Sequence, residues 1–154
     1  DPLQTARHWL YVAWMACIDG RFSEAREAIQ RLRAVLEGVG YALADGMDVV
    51  HACGVKPESV TLIGGGARSA YWRQMLADIS GLQLDYRTGG DVGPALGAAR
   101  LAQLAVHDEA DRPGLLKPLP LEQAHRPDDR RVAHYAPQRE TFRQIYQQLL
   151  PLMS

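Results

Sequence analysis

The sequence predicts a helix-rich α/β fold, and three observations lead to this prediction. Two short runs with the residue types and spacing of strands, residues 60–63 and 82–86, are each followed by a glycine-rich turn. Each turn leads into a segment whose apolar residues or alanines suit a helix. A long helical stretch precedes both runs. The order helix, strand, helix, strand, helix favours a parallel sheet covered by helices over an all-helical bundle.

The composition is that of an ordinary globular domain, with 154 residues of which 47% are hydrophobic. The 17 basic and 18 acidic residues give a net charge of -1, so we expect neither nucleic acid nor a membrane as a partner. The longest apolar run, residues 9–18, is shorter than a membrane span of about 20 residues, and no secretory leader pattern precedes it. We therefore expect a cytoplasmic protein in which Cys17 and Cys53 are reduced core thiols.

Residues 1–33 predict a helical hairpin of uncertain origin that precedes the α/β part. Asp19, Gly20 and Arg21 interrupt the helical spacing as a turn. The helix pair resembles one tetratricopeptide unit, and one such unit cannot bury its own apolar face. We therefore expect this arm to pack on another element.

The second helix of this arm is predicted to continue as a long helix over residues 34–53. One apolar stripe is expected along it, formed by Val35, Val39, Leu43, Met47 and Val50. Glu37, Asp45 and Asp48 lie off that stripe and predict a solvated face, since surface carboxylates are the rule.

The first glycine-rich turn is the strongest signal for a ligand. Gly64, Gly65 and Gly66 follow the β-branched run directly, and glycine permits positive φ and close approach of a ligand to the backbone. A helix is predicted to start at Ser69 and to stop at Gly81. The amino end of a helix suits an anionic ligand such as a nucleotide. A tight turn without any ligand is an equally good interpretation of these glycines alone.

The second glycine-rich turn, residues 88–93, leads to Pro94 at the first position of a helix that extends to about Val106. The small residues of that helix, including Gly97, predict close contact with another element. Residues 107–137 lose periodicity and predict a wrapping loop, in which the charge run 128–131 is solvated. A last helix is predicted for residues 139–150, with Pro151 after its end.

These two turns and their flanks resemble the C-terminal domain of the FGGY carbohydrate kinases. The resemblance rests on the sequence TLIGGGARSAYWRQMLAD, residues 61–78, and on GGDVGPALGAA, residues 89–99. It extends over residues 34–154, whereas residues 1–33 do not resemble the family. It implies part of an RNase H-like (actin-type ATPase) domain. Within the family, the chain is most similar to bacterial enzymes that phosphorylate D-xylulose.

The resemblance also implies an adenosine site on the first turn. Gly65 and Gly66 would contact the adenine and ribose through their backbone, while Ser69 and Ala70 would begin the flanking helix. Some relatives have at position 70 an asparagine that binds the nucleotide, which alanine cannot replace. Gly89, Gly90 and Gly93 would shape the floor of the cleft. The expected site residues are Gly64, Gly65, Gly66, Ala67, Ser69 and Ala70.

The expected cofactors are ATP and, in the full-length enzyme, Mg²⁺; the other substrate is a small ketose, and the resemblance allows a homo-oligomer. Phosphoryl transfer requires phosphate-binding loops, a carboxylate for Mg²⁺ and a base for the sugar hydroxyl. The family's Asp-Gly-Thr phosphate turn and its segment with the catalytic Asp do not occur in this sequence. We therefore expect no catalytic residue and no metal ligand in this chain, and no activity from it alone.

Two alternatives remain open. The first is a Rossmann-like dinucleotide-binding domain, because Gly64 and Gly66 follow a strand and Asp85 lies about 20 residues further on, where a ribose-binding acid belongs. Against it, Ser69 occupies the third position of the glycine fingerprint. The second is a non-enzymatic helical interaction module built on residues 1–33, with both glycine-rich segments as plain turns.

Overall fold

The computed structural model describes residues 2–57, 59–90, 93–109 and 112–153. The chain forms two compact units, Val55–Val132 and the combination of Asp1–Gly54 with Ala133–Ser154. In the described part of the chain, the helices are too short or too polar to cross a membrane. The elements in chain order are α1 (Pro2–Ile18), α2 (Phe22–Ala52), β1 (Val60–Thr61), a 3₁₀ turn (Gly65–Arg68), α3 (Ala70–Ser80), β2 (Leu84–Arg87), α4 (Pro94–Val106), α5 (Arg112–Leu115), β3 (Leu121–His125) and α6 (Asp129–Met153).

The first unit contains α1, α2 and most of α6. The predicted break at residues 19–21 is present, where Gly20 has a φ of 72° and Arg21 N donates to Ala16 O at 2.8 Å. Helix α1 packs against α2, and both helices bury alanines, which permit close approach of the two backbones. The outer face of α1 stays exposed, with Trp14 60% accessible.

The buried face of α2 is not the predicted stripe. Leu43 is 52% exposed and Val39 is 37% exposed, whereas Tyr41 and Ala44 are buried. Tyr41 lies edge-on to Tyr135 of α6, with ring centroids 6.3 Å apart. The stripe prediction was wrong because packing on the aromatic residues of α6 selects a different face of α2.

The prediction of two core thiols was also wrong, because Cys17 and Cys53 are exposed. Cys17 lies in the last turn of α1, and Cys53 is the C-terminal cap of α2. Both cysteines are exposed because each lies where its helix ends and no longer packs against another helix.

The second unit is built on a three-stranded sheet in the order β1-β2-β3. Strands β1 and β2 are parallel, with Val60 opposite Leu84, as the sequence predicts. Strand β1 is shorter than expected, although the ladder continues in a hydrogen bond of 2.9 Å from Leu62 N to Asp85 O. Helix α3 covers the sheet through a core of Leu76, Ala77 and Leu84, against which Val60, Leu62, Trp72 and Leu82 pack.

Strand β3 contradicts the prediction of a loop over residues 107–137, as do α5 and the start of α6. It pairs with β2 in antiparallel orientation, with Leu84 opposite His125. Four of its five residues are exposed, so the strand has no alternating apolar pattern that sequence reasoning could detect. Its backbone hydrogen bonds to β2 hold it in place.

Helix α6 begins ten positions before the predicted start and continues through Pro137 and Pro151. The charge run 128–131 is its first turn, because Asp128 Oδ1 accepts a hydrogen bond from Arg131 N at 3.0 Å. All four residues of the run are exposed, as expected, and two of them have an additional role, because Asp128 caps the helix and Arg131 pairs with Asp78. Helix α4 begins at Pro94 as predicted, yet it buries none of its described residues, and a Cβ at Gly97 would meet no atom within 4 Å.

Candidate functional site

The first glycine-rich turn follows β1 and consists of Gly64 and the 3₁₀ turn Gly65–Arg68. Gly64 has a φ of 92°, a value that L-residues rarely adopt. Gly65 and Gly66 do not have positive φ, so the expectation that all three glycines use this freedom is correct only for Gly64. Gly64 therefore redirects the chain, while the next two glycines keep a surface of bare backbone.

The two glycine-rich turns lie side by side. Gly64 N donates to Gly90 O at 2.8 Å, and this hydrogen bond joins them at the carboxyl ends of the parallel strands. A Cβ at Gly90 would lie 3.2 Å from Leu62 O, so a side chain there would crowd the backbone of the first turn. Asp91 and Val92 of the second turn lie outside the described residues.

The six predicted site residues form one continuous stretch with an exposed side. Gly65, Gly66, Ser69 and Ala70 are exposed, Gly64 is half-buried and Ala67 is buried. A Cβ at Gly65 would meet nothing within 4 Å, and one at Gly66 would lie 3.4 Å from Nε1 of Trp72. A planar ligand can therefore reach the backbone of Gly65 and Gly66 from solvent.

Helix α3 begins and ends as predicted. Ser69 is its N-terminal cap, with Oγ accepting from Trp72 N at 3.3 Å, and Gly81 ends it in the left-handed conformation. Because Ser69 already satisfies one amide at the helix start, fewer donors remain for an anionic ligand than the sequence suggested.

Sequence reasoning missed Arg73, which lies directly beneath the turn. Only 5% of this residue is exposed. Its Nη1 donates to Ala67 O at 2.5 Å, its Nη2 donates to Gln123 Oε1 at 2.8 Å, and its guanidinium lies 4.1 Å from the ring centroid of Tyr86. A signal existed, because Arg73 is three positions before Leu76 and so lies at the edge of the predicted apolar face.

His125 at the end of β3 completes this arrangement. Arg73 Nε donates to His125 Nε2 at 2.8 Å, and His125 Nδ1 lies 3.2 Å from Gln74 Oε1. Since a guanidinium has no acceptor, Nε2 must carry a lone pair, and the proton is on Nδ1. Burial and the neighbouring charge of Arg73 lower the pKa of His125, against an opposing effect of Asp78.

Asp78 extends the network toward α6. It is 1% exposed and accepts hydrogen bonds from Gln74 Nε2 and from Asp128 N, each at 2.9 Å. Arg131 Nη1 lies 3.3 Å from its other oxygen. A connected set of side chains thus extends from the carbonyl of Ala67 to the first turn of α6.

Three aspartates named in the sequence analysis, Asp45, Asp48 and Asp85, are paired with arginines in the structure. Asp85 is buried and pairs with Arg87 at 2.8 Å, so its carboxylate does not face a ribose as the Rossmann alternative requires. Asp45 and Asp48, predicted as a solvated face, both pair with Arg139 and Arg143 of α6. Within the described ranges, histidine, cysteine and carboxylate side chains form no group of three that could hold a metal ion.

A cavity of about 340 Å³ lies beside the second glycine-rich turn. None of the six predicted site residues lines it. Two arginines on its wall already bind backbone carbonyls, Arg87 that of Leu119 at 2.9 Å and Arg100 that of Lys117 at 2.6 Å. The described lining is Thr61, Ile63, Arg87, Gly89, Gly90, Gly93, Leu96, Arg100, Leu116, Pro118 and Leu119.

Comparison with known proteins relates this chain to sugar kinases. Residues 19–106 match the sequence model of the C-terminal domain of the FGGY family of carbohydrate kinases. This match includes residues 19–33, for which sequence analysis found no resemblance. The chain is 87% identical over 122 residues to a xylulose kinase of Klebsiella pneumoniae and 79% identical over 122 residues to that of Escherichia coli. Each alignment covers 79% of this chain and 25% of the relative.

Solved structures give the same result for the fold. A xyloylose kinase from Brucella ovis superposes with a TM-score of 0.67 at 29% identity, over 82% of this chain and 26% of that one. The chain therefore spans about a quarter of the length of the relatives it matches. Since the family model matches more than half of its residues, the chain belongs to the FGGY family of carbohydrate kinases, through their C-terminal domain.

Proposed function

We propose that this chain is the C-terminal, adenosine-binding portion of an ATP-dependent kinase that phosphorylates D-xylulose, and that it is inactive as an isolated chain. Membership of the FGGY family supports a sugar kinase, and the names of the relatives from Klebsiella pneumoniae and Escherichia coli support xylulose as the sugar. The observation that carries the adenosine assignment is the exposed glycine backbone of the first turn.

This proposal includes the organisation of the chain. Residues 34–154 form part of an RNase H-like (actin-type ATPase) domain on the nucleotide side of a cytoplasmic enzyme. Residues 1–33 form a helical hairpin arm that precedes it.

The described residues fit the nucleoside half of ATP. Gly65 and Gly66 leave their backbone uncovered, and the indole of Trp72 lies beside the position of a Cβ at Gly66. Ala70, at the start of α3, is exposed and small enough to admit a flat base. With alanine at this position, the base is held by shape and backbone contacts rather than by a side-chain amide.

The described residues do not fit the phosphate and Mg²⁺ half. Arginines pair with four aspartates, Asp45, Asp48, Asp78 and Asp85. None of these carboxylates is therefore free to bind a cation. Adenosine binding that is equal in the ground and transition states does not accelerate a reaction. Positioning and charge neutralisation supply most of the catalysis of phosphoryl transfer, so this chain alone transfers no phosphate.

A thermal-shift titration of the 154-residue chain with ATP, NAD and D-xylulose tests the assignment. A ligand that binds only the folded state raises the unfolding temperature in proportion to the logarithm of its excess over Kd. We expect ATP to raise it and D-xylulose to leave it unchanged. A larger shift with NAD than with ATP would favour the Rossmann alternative.

The variant Gly66→Val locates the binding surface. We expect it to fold, because Gly66 does not have positive φ, and to lose the shift with ATP, because a branched side chain covers the approach to the backbone. Gly97→Val is the matched control, since Gly97 also lacks positive φ, a Cβ there would meet open space, and it lies on α4 outside the six proposed site residues. An unchanged ATP shift in folded Gly66→Val would contradict the proposed site.

A further inference from the structure

Arg73 connects the glycine-rich turn to the rest of the second unit. Its guanidinium holds the carbonyl of Ala67, the buried residue of the turn, at 2.5 Å. The same group reaches β3 through His125 and Gln123 and lies over Tyr86 of β2. A planar guanidinium fixed on several sides holds its acceptor in one place. The path of Gly65 and Gly66 therefore depends on where Arg73 is held.

We infer that Arg73 is the positioning residue of the adenosine-binding turn, and that the neutral form of His125 holds Arg73 in place. That the turn binds adenosine rests on the proposed function. That Arg73 holds the turn in place does not depend on it. Arg73 Nε can only donate, so the hydrogen bond of 2.8 Å requires a lone pair on His125 Nε2. A second proton on the imidazole removes that acceptor and places two cations in contact within a buried site.

The charges around His125 determine when this occurs. Arg73 and Asp78 face it from α3, and Arg131 at the start of α6 offsets the charge of Asp78 at 3.3 Å. On β2 the residue opposite His125 is Leu84, which is uncharged. Burial and Arg73 outweigh Asp78 and lower the pKa of His125 below its usual 6.5. The neutral arrangement is therefore complete above pH 6.5 and is lost as the pH falls through the lowered pKa.

Adenosine is the probe that tests this inference, because it carries no phosphate that titrates in the same range. Its Kd for the 154-residue chain is measured from about pH 8, above the usual pKa of histidine, down to the pH at which the NMR signals of the His125 ring show it to be protonated. We expect binding to weaken about tenfold at the acid end, the effect of losing one charge-assisted hydrogen bond. His125→Gln keeps a carbonyl acceptor that does not titrate, and we expect its adenosine affinity to stay constant.

Arg73→Lys keeps the positive charge but loses the fork of donors, and we expect about tenfold weaker binding above pH 7. Arg112→Lys is the matched control, because Arg112 is exposed and pairs with Glu109 rather than with a residue of the turn. We expect the adenosine affinity of Arg112→Lys to equal that of the parent chain.

The NMR shifts of the Gly65 and Gly66 amides test the positioning without a nucleotide. We expect both to follow the titration of the His125 ring in the parent chain and to stay constant in His125→Gln. If they do so while adenosine fails to bind, the positioning stands and the proposed function alone fails. Glycine amides that stay constant while the ring of His125 titrates would overturn the inference, whether or not Arg73→Lys folds.

Discussion

Single residues fix the first glycine-rich turn, and Gly64 is the clearest case. Its φ of 92° lies in the region that L-residues avoid, and a Cβ there would meet no atom within 4 Å. The requirement for glycine at this position is therefore conformational and not steric. Gly65, its neighbour, has equally open surroundings and no positive φ, which makes the two positions a matched pair.

We predict that Gly64→Ala lowers the free energy of unfolding by about 1–3 kcal/mol, the cost of placing an alanine at a positive φ with an extended ψ, a region open essentially to glycine alone. Gly65→Ala is expected to change it by less than about 1 kcal/mol, because the backbone there already suits alanine. Urea unfolding of both variants measures the difference. Equal effects of the two substitutions would contradict the assignment of strain to Gly64.

At this scale the sequence predicted the local features and missed the distant ones. The helix start at Ser69, the helix stop at Gly81 and the glycine-rich turns depend on neighbouring residues, so their patterns were readable. The place of Arg73 at the edge of the apolar face of α3 was readable, but its contact with His125 was not, because His125 lies 52 positions away on a strand without an apolar pattern.

At the scale of elements, ion pairs join α2 to α6. Arg139 Nε donates to Asp45 at 2.8 Å and Arg143 Nε donates to the same carboxylate at 2.9 Å, while both guanidinium groups also reach Asp48. Burial of Asp45 acts to raise its pKa, but hydrogen bonds from Arg143 and Arg139 outweigh burial and hold the pKa below its usual 3.8. A carboxylate that two arginines share ties the helices more firmly than a single exposed pair.

We predict that Asp45→Asn lowers the free energy of unfolding at pH 7 by about 1 kcal/mol, the upper range for surface ion pairs. Because the pKa of Asp45 is depressed, its contribution is present above pH 3.8 and is lost as the pH falls toward the lowered pKa. Denaturant unfolding from pH 7 to pH 3 should therefore show a weaker acid dependence in Asp45→Asn.

Glu27→Gln provides the control for this prediction. Glu27 pairs with Arg31 on the same helix, and both side chains are more than half exposed. We expect its effect at pH 7 to stay below about 0.5 kcal/mol. An Asp45→Asn variant no less stable than Glu27→Gln would show that the network adds nothing to a surface pair.

The same elements show why sequence patterns failed between residues 107 and 137. Strand β3 is mostly exposed and polar, and α6 begins in a charge run and continues through Pro137. Neither has the apolar periodicity from which elements are recognised. Pairing with β2 establishes β3, and a hydrogen bond from Asp128 N to Asp78 Oδ1 fixes the start of α6, and both of these contacts are tertiary. The cap of Asp128 on Arg131 N is local, and the sequence analysis did not use it.

At the scale of the whole molecule, the chain matches about a quarter of the length of its relatives in the family. The glycine-rich turns that carried the resemblance in the sequence lie together in the second unit and share the hydrogen bond from Gly64 to Gly90. The paired aspartates lead us to expect no D-xylulose-dependent release of ADP from the isolated chain. A coupled assay at high protein concentration measures that release, and turnover that persists after repurification would contradict the proposed lack of chemistry.

Calorimetric titration of the 154-residue chain with adenosine, ADP and ATP with Mg²⁺ tests the adenosine-side assignment most directly. If the chain contacts only the nucleoside, the three ligands bind with similar affinity, and removal of Mg²⁺ leaves the affinity for ATP unchanged. Each phosphate contact adds binding energy, and about 1.4 kcal/mol corresponds to a tenfold change in Kd. A preference of more than about tenfold for ATP with Mg²⁺ over adenosine, or no binding of any of the three, would contradict the assignment of this portion to the adenosine half of the nucleotide site.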